Sequence, residues 1–82
     1  MYDYKMIAAY NFRCLLKQRQ LTQAEAAMIL HVEERTLRRW LKDGIDKLSI
    51  IEEIASAFNI DPITTLLKKW VVFLFISGHF AP

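Results

Sequence analysis

Apolar and polar positions along the chain recur with the spacing of helices, and five helical stretches follow from them. The first runs from about Tyr4 to Gln18, with Met6, Ile7, Tyr10, Phe12, Leu15 and Leu16 forming a broad apolar face. The second opens at "TQAE", where Thr22 can cap and Glu25 lies three residues on, the spacing of a capping box, and it ends near Leu30. The third covers roughly Glu33 to Lys42 and is stopped by "DG", with Gly44 supplying a left-handed turn. The fourth begins near "SIIE", where Ser49 and Glu52 repeat the box, and runs to about Phe58. The fifth begins at "DP", with Asp61 as cap and Pro62 in the first helical position. Connections of a few residues suit a compact bundle, so the predicted class is all-α.

The third stretch carries two stripes. Leu37, Trp40 and Leu41 fall at i, i+3 and i+4 and predict a buried side. Arg35, Arg38, Arg39 and Lys42 fall at i, i+3, i+4 and i+7, displaced by two positions and so roughly opposite. A short helix anchored by Leu37 and Trp40, with four cations outward, suits the wide, negatively charged major groove of a duplex. The simpler alternative is a solvated face on which Glu34 pairs with Arg38 at i, i+4. The preceding helix favours the groove, because small Ala26 and Ala27 allow close approach and a short turn with apolar Val32 follows.

"WVVFLFI", residues 70–76, is seven apolar residues in succession, too few for a membrane-spanning helix, which needs about twenty. As a strand it could pair with a second copy; as a helix it would extend the stripe Ile63, Leu66, Leu67, Trp70 and Leu74. The segment could also complete the chain's own core. Left in water it would aggregate, and a homodimer through Trp70, Val72, Phe73, Leu74 and Phe75 is the preferred cover.

With 82 residues, 54% of them hydrophobic and 24% charged, the chain is expected to form one folded domain over residues 1–69 followed by the apolar tail, residues 70–82. Cys14 is the only cysteine, which excludes an internal disulfide and suits a reducing compartment. The first ten residues do not read as a signal peptide, so a cytoplasmic protein is expected. Charge changes the picture more than its total of +2 suggests. Residues 13–42 hold seven Lys and Arg against three Glu, and residues 43–61 hold five acids against Lys47, so one face should attract polyanions. His31, His79 and Cys14 offer no nucleophile–base arrangement and no phosphate loop or metal spacing appears, so neither an enzyme nor a cofactor is expected.

These segments together resemble the Cro/repressor-type, or XRE, family of helix-turn-helix DNA-binding proteins over residues 12–67. Counting from Gln23, the motif's small position is Ala27, and its apolar positions are Leu30, Val32, Leu37 and Trp40. Upstream, "FRCLLKQRQLTQ" is similar to the family's first helix and its lead into the second. Downstream, "IASAFNIDPITTLL" resembles its fourth helix and the start of its fifth.

The resemblance implies a five-helix lambda-repressor-like bundle that binds double-stranded DNA. Glu34, Arg35, Arg38 and Arg39 would face bases, while Gln23, Thr36 and Lys42 would contact phosphates. A homodimer would set two recognition helices about 34 Å apart on a near-palindromic operator, most simply as a repressor. The alternative is an antitoxin or phage accessory protein whose apolar tail binds a protein partner while the helix-turn-helix regulates its own promoter. The chain departs from the family pattern in three places. His31 stands where glycine is usual, and Glu33 where Ser, Asp or Asn commonly caps. Met28 and Ile29 replace polar residues on the outer face of helix two and suggest a covered surface.

Overall fold

The computed structural model describes residues 4–68. Helix α1 spans Tyr4–Gln18, α2 Gln23–Leu30, α3 Glu34–Asp43 and α4 Leu48–Phe58, and a π-helical segment, Pro62–Leu67, follows. Among the described residues there is no strand, so the predicted all-α class holds for them.

Three of the helices end in the same way. Gln20, His31 and Asn59 have φ of 58°, 59° and 56°, all left-handed values for residues with a Cβ. In each case the next residue's N–H reaches back five positions: Leu21 to the Leu16 carbonyl, Val32 to Ala27 and Ile60 to Ala55, at 2.9, 3.0 and 2.9 Å. These are Schellman closures, which satisfy carbonyls that the helix itself cannot. Leu21, Val32 and Ile60 then fold against the core. A polar residue that turns the chain, followed by an apolar one that plugs it in, is the local rule by which this sequence stops α1, α2 and α4.

Helix starts are mixed. The box at Thr22 forms, with the Glu25 N–H donating to Thr22 Oγ1 at 3.1 Å and the Thr22 N–H to Glu25 Oε1 at 2.8 Å. Asp61 also caps as predicted, its Oδ1 accepting from the N–H groups of Ile63 and Thr64. The box at Ser49 does not form: α4 starts at Leu48 with Lys47 in the capping position and no side-chain bond, which puts Ser49 inside the helix. The cause lies upstream, where buried Ile45 donates its N–H to the Lys5 carbonyl at 3.0 Å and pins the connection. Gly44 differs from expectation for the same reason. Its φ of 110° and ψ of 163° are not a left-handed turn but an extended geometry at positive φ. A Cβ there would meet Met6 Sδ at 3.1 Å and the Lys5 carbonyl oxygen at 3.3 Å.

The core is centred on α1, which packs on α3 and on the π-helical segment, while α2 packs on α3 and α4. Its buried face is Ala8, Ala9, Asn11, Phe12, Leu15 and Leu16, rather than the predicted face that included Met6 and Tyr10. Met6 and Tyr10 stay 42% and 44% exposed, because the side of α1 turned to the core is the one that carries Ala8, Ala9, Phe12, Leu15 and Leu16. Phe12 meets Phe58 edge-on at 5.8 Å. Asn11, fully buried, donates from Nδ2 to the carbonyls of Leu66 and Lys68 at 2.7 and 3.2 Å. Its Oδ1 has no partner among the described residues.

The predicted fifth helix is shorter and wider than an α-helix. Lys68 is extended, with φ of −88° and ψ of 125°, so the stripe of Ile63, Leu66 and Leu67 is not carried on helically at residue 68. Leu66 is buried and Ile63 is 60% exposed. Trp70, Val72, Phe73, Leu74 and Phe75 lie outside the described residues.

Candidate nucleic-acid interface

Helices α2 and α3 are joined by His31, Val32 and Glu33. Ala26 and Ala27 of α2 are buried, and α2 packs on α3. Leu37, Trp40 and Leu41 point inward, as their spacing predicts, with Leu30 and Val32 half-buried against the same core. The left-handed His31 makes the turn possible: histidine is among the residues that enter this region more readily than most.

That anchoring leaves Arg35, Arg38, Arg39 and Lys42 exposed on the opposite side of α3, with Thr36 half-buried between the two sides. The side chains are not equivalent. Arg35 Nε donates to Glu33 Oε1 at 3.1 Å, a hydrogen-bonded ion pair. Arg38 Nη2 lies 3.8 Å from Glu34 Oε2, close enough for attraction but too far for a hydrogen bond. Among the described residues Arg39 and Lys42 have no ion-pair partner. Glu33 holds the capping position of α3 without a side-chain cap, its carboxylate turned to Arg35 instead. The front of α3 is thus two acids against two arginines, and the uncompensated cations sit further back.

Gln23, half-buried at the start of α2, lines a hollow of about 210 Å³ with Arg13, Lys17 and Leu41. Sequence spacing did not place Arg13 here. Its Nη2 donates to the Leu41 carbonyl at 3.2 Å, tying α1 to the C-terminal half of α3, where a cation also suits the helix dipole. Arg19, though exposed, also makes a structural contact, its guanidinium 5.6 Å from the centre of the Phe58 ring. Two members of the basic region counted from sequence therefore have structural contacts, a distinction that charge counting cannot make. Burial pushes the Cys14 thiol above its usual pKa despite the opposing charges of Lys17 and Arg13.

No protein-family model, curated protein or solved structure matches the chain. Among the described residues no helix is long and apolar enough to cross a membrane.

Proposed function

We propose that this is a sequence-specific double-stranded DNA-binding regulator of transcription, with α2 and α3 as a helix-turn-helix in a lambda-repressor-like bundle of the XRE kind. The observation that carries the reading is α3 itself: Leu37, Trp40 and Leu41 seat one side of it in the core while Arg35, Arg38, Arg39 and Lys42 project from the other. Helix α3 enters the major groove with Glu34, Arg35, Arg38 and Arg39 toward base edges, and Gln23, Thr36 and Lys42 fix the register on phosphates. A homodimer through residues 70–76 doubles these contacts on a near-palindromic operator, and occupying that operator blocks transcription.

Binding of labelled duplexes at several salt concentrations tests this reading. Lys42→Ala removes a phosphate contact, from a cation with no ion-pair partner among the described residues, and should flatten the dependence of log affinity on log salt by about one unit, whereas Arg39→Ala removes a base contact and should lower affinity for the preferred duplex. If neither variant changes affinity or slope, α3 does not meet the duplex.

A second reading, a module that also captures a protein partner, is favoured by Met28 and Ile29, which stand 76% and 40% exposed on the outside of α2. Size-exclusion chromatography of the lone chain separates the two, since a soluble, stable dimer removes the need for a partner.

A further inference from the structure

The two glutamate–arginine pairs at the front of α3 differ in what they leave free. In the first, Arg35 spends its Nε donor on Glu33 at 3.1 Å. In the second, the 3.8 Å gap between Arg38 Nη2 and Glu34 Oε2 consumes no hydrogen bond on either side. Arg38 keeps its donor fork and Glu34 its acceptor oxygens, while attraction across one helical turn holds the two heads side by side. Both side chains are about half-exposed, 58% and 48%, so neither has to leave the core to reach a ligand. Glu34 also lies in the first turn of α3, where the helix dipole favours a carboxylate.

Side by side, these heads present two donors and then an acceptor. The major-groove edge of a G·C pair presents the complement: guanine N7 and O6 accept, and cytosine N4 donates. An A·T pair fits badly, because adenine N6 is a donor facing the guanidinium and thymine O4 is an acceptor facing the carboxylate. Resting on the duplex-binding reading above, we propose that Glu34 and Arg38 act as one reading unit for a G·C pair. Arg38 grips the guanine with its fork and Glu34 accepts from the cytosine amino group.

Glu34 therefore weakens binding to duplex in general, through repulsion of phosphates, and restores it only where a cytosine amino group is offered. Selectivity arises from this penalty as much as from the attraction. The sequence-independent share of affinity falls to phosphate contacts such as Lys42, which has no ion-pair partner among the described residues to release first.

The test is selection of duplexes from a pool of 20 randomised base pairs, followed by fluorescence anisotropy on the selected duplex and its single-pair substitutions. Wild-type chain should fix a G·C pair and lose about tenfold in affinity when that pair becomes A·T. Glu34→Gln, whose amide can donate as well as accept, should lose most of that discrimination while binding random duplex more tightly. Arg38→Lys should lose the guanine preference, because an ammonium lacks the planar fork. Both sites are exposed, and unchanged helicity by circular dichroism shows that the fold has survived. If Glu34→Gln keeps the full penalty at every position, or if no G·C pair is fixed, the reading unit is refuted while duplex binding stands. If the wild-type chain binds no duplex at all, both readings fall together.

Discussion

Asn11 and Gly44 show how single positions set this fold against its own local pattern. Asn11 lies within the apolar run of α1, where a polar residue reads as solvent-facing, yet it is fully buried and bonded to a carbonyl 55 residues away. No local signal announces a partner at that separation. Gly44 was legible as a helix stop, because "DG" ends the apolar spacing, but the form of its turn was not. The Ile45 to Lys5 bond holds the chain against α1, so that a Cβ at Gly44 would lie only 3.3 Å from the Lys5 carbonyl oxygen. Gly44→Ala should therefore cost about 1–3 kcal/mol, through both positive φ and contact with the Lys5 carbonyl. Thermal unfolding should show a midpoint lower by several degrees; an unchanged midpoint would mean that the connection relaxes freely.

At the scale of elements, α3 was the most legible and α1 the least. The two stripes of α3 are well separated, so spacing alone identified both Leu37, Trp40 and Leu41 as buried and the four cations as exposed. Helix α1 has more apolar residues than it has buried surface for, and which of them lose the competition depends on what packs against Ala8 and Ala9. Helix ends were legible where a side chain caps, as at Thr22 and Asp61, and not at Ser49, where a distant backbone bond moves the start of α4. The α2 end is open to improvement. His31 holds a left-handed conformation that glycine adopts without steric cost, so His31→Gly should stabilise the chain by about 0.5–1 kcal/mol. Chemical denaturation should show a higher midpoint at unchanged slope, and a lower midpoint would indicate that the imidazole holds a contact of its own.

Across the whole molecule, charge and connectivity are arranged differently. The charge division was readable from sequence in outline, as basic residues before Asp43 and acidic ones after it. Its working detail was not, because Arg13 and Arg19 are drawn into structural contacts and Glu33 and Glu34 are set against arginines. Connectivity is dominated by α1, held at one end by Lys5 bonding Ile45 and by the Tyr4 hydroxyl on the Asp46 carbonyl, and further along by Asn11 bonding Leu66 and Lys68. These bonds join positions 40 to 57 residues apart in the chain, so α1 cannot keep its seat once the rest has opened.

Such double anchoring governs how the backbone exchanges with solvent. A helix held by few tertiary contacts frays, and its amide protons are lost to deuterium through small local openings. Here the amides of Phe12, Leu15 and Leu16 should exchange only as fast as the whole chain unfolds, with the same denaturant dependence as global unfolding. Asn11→Ala should break that equivalence, so that α1 exchanges ahead of α3.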